Sequence, residues 1–225
     1  MEQPNSTPDT SIADTTLVEP AILYVVDDDD AVRAALGRLL SAGGYRVAAF
    51  QSAETFLVQH DPHAHGCIVL DVAMPGLDGL ALQQLLAERG SHMPVIFLTG
   101  RADVPMTVRA MKRGAFDFLT KPVDGDELFP AVARALERDL ALRRADAARA
   151  ATESRLSTLT AREREVLTHV MAGRLNKQIA ADLGTVEKTV KVHRGRVMEK
   201  LKARSLADLV RLAGQLGVAP AARGR

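Results

Sequence analysis

Carboxylates follow two apolar runs of the chain, each at the point where the run stops. The run before Asp71 is too short for a helix and is stopped by Met74-Pro75-Gly76, so it predicts a buried strand. A second apolar run ends at Asp27 and Asp28. If both strands lie parallel in one sheet, the three carboxylates meet at its carboxyl edge. They would hold a hard divalent cation, for which we expect Mg²⁺.

Two further strand ends supply groups that stabilise phosphoryl oxygens. The run after Pro94 ends in Thr99, and a later run leads to Lys121. An aspartate nucleophile surrounded by Mg²⁺, a hydroxyl and an ammonium suits attack on a phosphoryl group. These side chains together predict a phosphoacceptor site. The rest of the first acidic run is expected to cap a helix through Asp29 or Asp30.

Apolar runs and helical periodicities alternate from Ala21 to about residue 140, with short connections that often contain glycine. The order βαβαβαβαβα predicts an α/β domain whose parallel sheet is covered on both faces. Right-handed crossovers then give five strands in the flavodoxin-like order 2-1-3-4-5. Such a sheet would bring the polar strand ends to one edge.

A second group of helical patterns fills residues 157–225. Capping boxes start one helix at Thr160 and Glu163 and the last helix at Ser205 and Asp208. Two helices joined at Gly184 indicate a helix-turn-helix in a small all-α domain.

Composition suggests the remaining boundaries. Residues 1–20 are polar and aperiodic, which predicts a disordered tail before a phosphoacceptor domain at 21–140. Residues 141–156 are Ala-rich and charged, which is typical of an exposed helical linker.

Charge is divided unevenly between the two halves of the chain. Met1 to Gly125 carries 9 Lys/Arg against 16 Asp/Glu, whereas Asp126 to Arg225 carries 20 against 12. A basic second half indicates a polyanionic partner. Val190, Val197 and Leu201 mark the inward face of the second helix of the pair, and its other faces would meet DNA. The positions expected at DNA are Lys188, Thr189, Lys191, Val192, Arg194 and Arg196.

Nothing in the sequence indicates secretion or a membrane span. No apolar stretch approaches the roughly 20 residues that a span needs, and the N-terminus lacks a signal-peptide pattern. The single cysteine, Cys67, is expected to be a core residue in a reducing compartment, so we expect a cytoplasmic protein. His60, His63 and His65 are expected in a solvated loop rather than at a metal.

The first domain resembles the response-regulator receiver domains. The resemblance lies in the acidic pair, the D-x-x-M-P-x-x-D-G run from Asp71 to Gly79, and the residues Thr99 and Lys121-Pro122. It implies that Asp71 is the phosphoacceptor, and that Thr99 and Lys121 sense the acyl phosphate. It also implies a cis Lys121-Pro122 peptide.

The same resemblance assigns metal and switch residues. It implies that Asp28, Asp71 and the Ala73 carbonyl bind Mg²⁺, with Asp27 acting through water. Phe118 matches the aromatic switch position. The helix starting at Val104 and the Phe118 strand would form a homodimer face on phosphorylation. The residues expected on that face are Val108, Met111 and Lys112.

The second domain resembles the LuxR/NarL/FixJ-type helix-turn-helix between about residues 156 and 213. The matching stretches are 159–167, 176–180 and 189–193, and the whole chain is most similar to the FixJ subgroup. The stretch Thr185-Val186-Glu187 departs from the family pattern, which leaves the N-cap of the second helix of the pair open.

These features predict a two-component transcription factor. A sensor histidine kinase would phosphorylate Asp71, the receiver would dimerise, and the second domain would bind promoter DNA, with RNA polymerase a further expected partner. A turnover phosphohydrolase is one rival, although Ala73 lies where a second acid is often found. A pseudo-receiver that ignores phosphorylation and an RNA-binding antiterminator are the others.

Overall fold

The computed structural model describes residues 20–100 and 104–222, which divide after Leu142 into two compact units. The first unit contains five parallel strands in the spatial order β2-β1-β3-β4-β5, which confirms the predicted fold. The strands are β1 (Ile22–Val26), β2 (Arg46–Phe50), β3 (Gly66–Asp71), β4 (Val95–Thr99) and β5 (Asp117–Thr120). The predicted tail lies, except for Pro20, outside the described residues.

Helices connect the strands and cover both faces of the sheet. They are α1 (Asp30–Ala42), α2 (Ala53–Gln59), α3 (Gly79–Glu88), α4 (Val104–Lys112) and the long α5 (Gly125–Ser157). One apolar core includes Phe56, Leu82 and Phe97, and a second includes Leu40 and Val132. Because both faces of the sheet are covered, every residue of β3 is buried, and Asp71 is among them.

Strand register places the ends of the strands side by side. Val26 is level with Leu70 on one side of β1, so the residues that follow each of them are neighbours at the carboxyl edge. On the other side of β3, Asp71 is level with Leu98, and Thr99 is level with Thr120. The register therefore brings the strand ends that carry the predicted phosphoacceptor site side by side at one edge of the sheet.

Two glycines allow backbone segments to approach closely. A Cβ on Gly79, the first residue of α3, would lie 2.2 Å from the carbonyl oxygen of Asp71. A Cβ on Gly66 would lie 2.0 Å from the carbonyl oxygen of Ile22. Both approaches involve backbone atoms. A side chain at Gly79 would displace the carboxyl end of β3, which carries Asp71, and one at Gly66 would displace the amino ends of β1 and β3 at the opposite edge.

The histidines after α2 are more enclosed than expected. His65 Nδ1 lies 2.7 Å from Asp139 Oδ2, and Gly66 N–H donates to the same oxygen at 3.0 Å. The ring of His60 stacks on that of Phe56 at 4.3 Å. The predicted solvated loop was therefore wrong for His60 and His65, because aromatic stacking and a partner on α5 bury them partly.

Cys67 lies fully buried on β3, as expected from the sequence. Burial, with a smaller contribution from the charge of Asp139, raises the pKa of the Cys67 thiol to about 12. A thiol in this environment stays protonated and packs as a small apolar side chain.

The second unit contains the end of α5 and four helices, namely α6 (Ala161–Met171), α7 (Asn176–Asp182), α8 (Glu187–Lys200) and α9 (Leu206–Gln215). The capping box of Thr160 and Glu163 is confirmed. Leu167, Ile179 and Leu209 are among the residues of a single apolar core. None of the described helices is long and apolar enough to cross a membrane.

Candidate functional site

Three carboxylates converge at the carboxyl edge of the sheet. Asp27, Asp28 and Asp71 each offer an oxygen, and these oxygens all lie within 4.8 Å of one another. Asp27 and Asp71 are buried, whereas Asp28 is exposed. Lys121 Nζ lies 2.6 Å from Asp27 Oδ2 and 3.2 Å from Asp71 Oδ1. The ammonium therefore offsets part of the negative charge that this cluster concentrates.

Burial and neighbouring charges shift the pKa values of Asp71 and Lys121. Burial raises the pKa of the Asp71 carboxyl, and the charge of Lys121 only partly offsets the rise. Burial by itself disfavours the charged Lys121, but the hydrogen bond and charge of Asp27 outweigh burial, so the pKa of Lys121 is raised. Lys121 therefore stays a cation beside a carboxylate that is poorly solvated.

The donor set fits a hard divalent cation. Mg²⁺ prefers oxygen ligands and is usually held by one or two carboxylates together with water. The exposed Asp28 leaves an open side for water, and the cluster contains no thiolate or imidazole. Ala73 is exposed, and its backbone N–H counters a small part of the rise in the pKa of Asp71.

Of the residues that the resemblance assigns to sensing and switching, Thr99 ends β4 and Phe118 lies within β5. Thr99 is buried at the end of β4, and its carbonyl accepts from Lys121 N–H at 2.7 Å. Phe118 is half-buried, with its ring 6.2 Å from that of Phe97. The Lys121-Pro122 peptide is cis, as the resemblance implied.

Arg33 is a neighbour of the site that the sequence did not indicate. Its guanidinium donates to the carbonyl oxygen of Asp27 at 2.7 Å and pairs with Asp30. A basic residue six positions after Asp27, on a helix, looks like an ordinary surface cation in sequence. Only the turn into α1, capped by Asp29 as expected, brings the two together.

Helix α4 presents apolar side chains to solvent. Val108 is 44% exposed and Met111 is 46% exposed, and Lys112 is exposed beside them. The side chain of Val104 lies outside the described part of the chain. Exposed apolar residues on one helix can form an interaction surface, and the expected dimer face stays a prediction.

In the second unit, α7 and α8 form the predicted helix-turn-helix around Gly184, whose φ is +59°. Val190, Val197 and Leu201 are fully or almost fully buried, which confirms the predicted inward stripe. The positions expected at DNA divide into exposed Lys188, Lys191, Val192 and Arg196 and half-buried Thr189 and Arg194.

Arg194 already has a partner in the protein. Its Nη1 donates to Asn176 Oδ1 at 3.0 Å, which joins α8 to the first residue of α7. At the start of α8, Val186 is the N-cap residue and supplies no side-chain hydrogen bond. The cap that the sequence left open is therefore made without a polar side chain.

Comparisons with known proteins identify both domains of the chain. Residues 23–133 match the family described as response regulator receiver domain, and residues 157–213 match bacterial regulatory proteins of the luxR family. Nodulation protein W of Bradyrhizobium diazoefficiens is 49% identical over 88% of this chain and 87% of its own. The transcriptional regulatory protein FixJ of Azorhizobium caulinodans is 48% identical over 88% of this chain and 94% of its own.

A solved structure is similar to most of this chain. The response regulator StyR is 44% identical, with a TM-score of 0.79 over 88% of this chain and all of its own. The fold and the acidic cluster thus define a receiver domain followed by a DNA-binding domain. The chain belongs to the FixJ-like response regulators with a LuxR-type helix-turn-helix, which are transcription regulators controlled by phosphorylation.

Proposed function

We propose that Asp71 accepts the phosphoryl group of a sensor histidine kinase. The observation that carries this proposal is the convergence of three carboxylates and Lys121 at one strand edge. An Asp71 oxygen would attack phosphorus, and the bond from phosphorus to the kinase histidine nitrogen would break. The nitrogen keeps the electron pair of that bond, and Asp71 becomes an acyl phosphate.

Mg²⁺ would be bound by the carboxylates of Asp28 and Asp71 and by the Ala73 carbonyl, with Asp27 acting through water. When bound, the ion neutralises charge on the phosphoryl oxygens. Lys121 would exchange its contact with Asp71 for a phosphoryl oxygen, and the Thr99 hydroxyl would reach another. These residues stabilise the acyl phosphate but do not make the protein a turnover enzyme. Ala73 provides no second carboxylate for rapid hydrolysis.

The signal would pass from Thr99 and Phe118 to the face formed by α4 and β5. Movement of both side chains toward the acyl phosphate would favour a homodimer through Val108, Met111 and Lys112. Two copies of α8 would then bind paired half-sites of promoter DNA. RNA polymerase is a further proposed partner, and because promoter DNA lies in the bacterial cytoplasm, we place the protein there.

The test compares wild type with Asp71→Asn, with and without a small phosphodonor and Mg²⁺. We expect the donor to convert the wild type from monomer to dimer and to tighten promoter binding. The variant should do neither, because an amide cannot form the acyl phosphate. Sedimentation velocity and a DNA titration measure the two effects. Equal, donor-independent DNA binding by both proteins would instead favour a pseudo-receiver.

A further inference from the structure

The segment between β3 and α3, residues 72–78, is held to α2 by one acidic side chain. Glu54 Oε1 accepts a hydrogen bond from Leu77 N–H at 3.1 Å, although the two residues are 23 positions apart. Glu54 is the second residue of α2, and Leu77 packs partly against the core. We call residues 72–78 the β3–α3 loop.

The carboxylate of Glu54 is stabilised in its charged form. Its own backbone N–H and the N–H of Leu77 hold the pKa of Glu54 below its usual value, with a smaller contribution from the Ser52 side chain. The carboxylate is therefore charged at neutral pH and sits at the N-terminal turn of α2, where negative charge is favoured. A charged acceptor makes a stronger hydrogen bond than a neutral one.

The backbone of the β3–α3 loop approaches the Glu54 carboxylate closely at Gly76. Gly76 has φ +75°, a conformation that other residues adopt at a cost. A Cβ on Gly76 would lie 2.9 Å from Glu54 Oε1. Leu77, the residue after Gly76, supplies the backbone N–H that Glu54 accepts.

The same loop carries Ala73, two residues after Asp71 and four before Leu77. At its other end, Gly79 N–H donates to the carbonyl of Val72 at 3.1 Å. The backbone position of Ala73 therefore depends on how the whole loop is held. We propose that Glu54 is a positioning residue, which fixes the β3–α3 loop so that the Ala73 carbonyl faces the Mg²⁺ site. This inference rests on the proposed function.

Magnesium affinity of the full chain tests the inference by calorimetric titration. We expect Glu54→Ala to weaken Mg²⁺ binding about tenfold, as the loss of an outer partner of a metal ligand commonly does. Glu54→Gln should retain most of the affinity, because its amide oxygen can still accept from Leu77 N–H. Gln59→Ala, an exposed change on the same helix, is the matched control and should leave affinity unchanged.

Hydrogen–deuterium exchange supplies a second measurement. Glu54→Ala should speed exchange in the β3–α3 loop while the melting temperature stays close to that of the wild type. Unchanged Mg²⁺ affinity in Glu54→Ala would overturn the inference. Equal losses in Glu54→Ala and Glu54→Gln would also overturn it, because charge rather than position would then matter. Absence of Mg²⁺ binding by the wild type would overturn the proposed function itself.

Discussion

The buried carboxylate of Glu163 on α6 joins this helix to α8 in the second unit. It accepts from Thr160 N–H at 2.9 Å and from Lys200 Nζ at 2.6 Å. Lys200 also donates to the Thr158 carbonyl at 3.1 Å. These contacts fix the end of α8 against the start of α6. The hydrogen bond from Lys200 and the one from Thr160 N–H hold the pKa of Glu163 below its usual value.

Glu163→Gln should therefore destabilise the unit in a way that depends on pH. A lowered folded-state pKa means that the stabilisation is complete above the ordinary value of 4.5 and is lost as pH falls through the lowered value. At neutral pH we expect a loss of about 2 kcal/mol in unfolding free energy, from a hydrogen bond to a charged group. Denaturant unfolding at several pH values measures it, and the deficit should shrink in acid.

Glu165→Gln is the matched control for that prediction. Glu165 lies on the same helix and pairs with Arg162 at 2.8 Å, but both side chains are substantially exposed. Exposed ion pairs contribute about 0–1 kcal/mol, so this variant should unfold almost as the wild type does. A loss as large as that of Glu163→Gln would mean that general surface charge, not the buried contact, stabilises the unit.

At the scale of single elements, α8 begins without a polar cap. Val186 occupies the N-cap position, is 64% exposed and makes no side-chain cap hydrogen bond. A serine hydroxyl there could accept from an N–H of the first turn, so Val186→Ser should raise stability by about 1 kcal/mol. Val192→Ser, an exposed position within the same helix, should change stability little because valine and serine have similar helix propensities. Thermal and denaturant unfolding compare the two variants.

The elements themselves could be predicted from the sequence because their patterns are local. The alternation of strands and helices and the inward stripe through Val190 follow from spacing along the chain. Side-chain partners could not be predicted in the same way. His65 and Asp139 are 74 positions apart, and Glu54 and Leu77 are 23 apart, so only the folded backbone brings them together.

The phosphoacceptor cluster could be predicted from the sequence, unlike the other side-chain partners. Its members are also far apart in sequence, but each stands directly after a strand, and parallel strands end at a common edge. The topology of the parallel sheet therefore makes residues that are distant in sequence neighbours in the fold. Arg33 lies in a helix rather than at a strand end, so no comparable rule could place it beside Asp27.

At the scale of the whole molecule, the basic second half should make DNA affinity strongly dependent on salt. Each phosphate contact that is lost lowers the slope of log affinity against log salt by about 1. We expect Lys191→Ala to produce such a loss if this exposed residue meets a phosphate. Lys191→Arg retains the cation and should keep the wild-type slope. DNA titrations over a range of salt concentrations distinguish the two.

Dimerisation of the receiver should depend on the exposed apolar side chains of α4. Met111→Glu places a charge on the proposed dimer face, and we expect it to prevent donor-induced dimerisation while Asp71 is still phosphorylated. Sedimentation velocity and a phosphoprotein gel report the two properties separately. Val58→Glu, at an 84% exposed position of α2, should dimerise normally. Dimerisation of Met111→Glu at wild-type levels would place the interface elsewhere.

The single cysteine has a practical consequence for work on this protein. Cys67 is inaccessible and its thiol has a pKa of about 12, so alkylating reagents should not modify it while the receiver sheet is closed. A cysteine engineered at an exposed position could then carry a fluorophore or spin label without removal of the native one. Conversely, the rate at which Cys67 is slowly alkylated would report how often the sheet opens. The wild-type chain therefore contains its own probe of local unfolding.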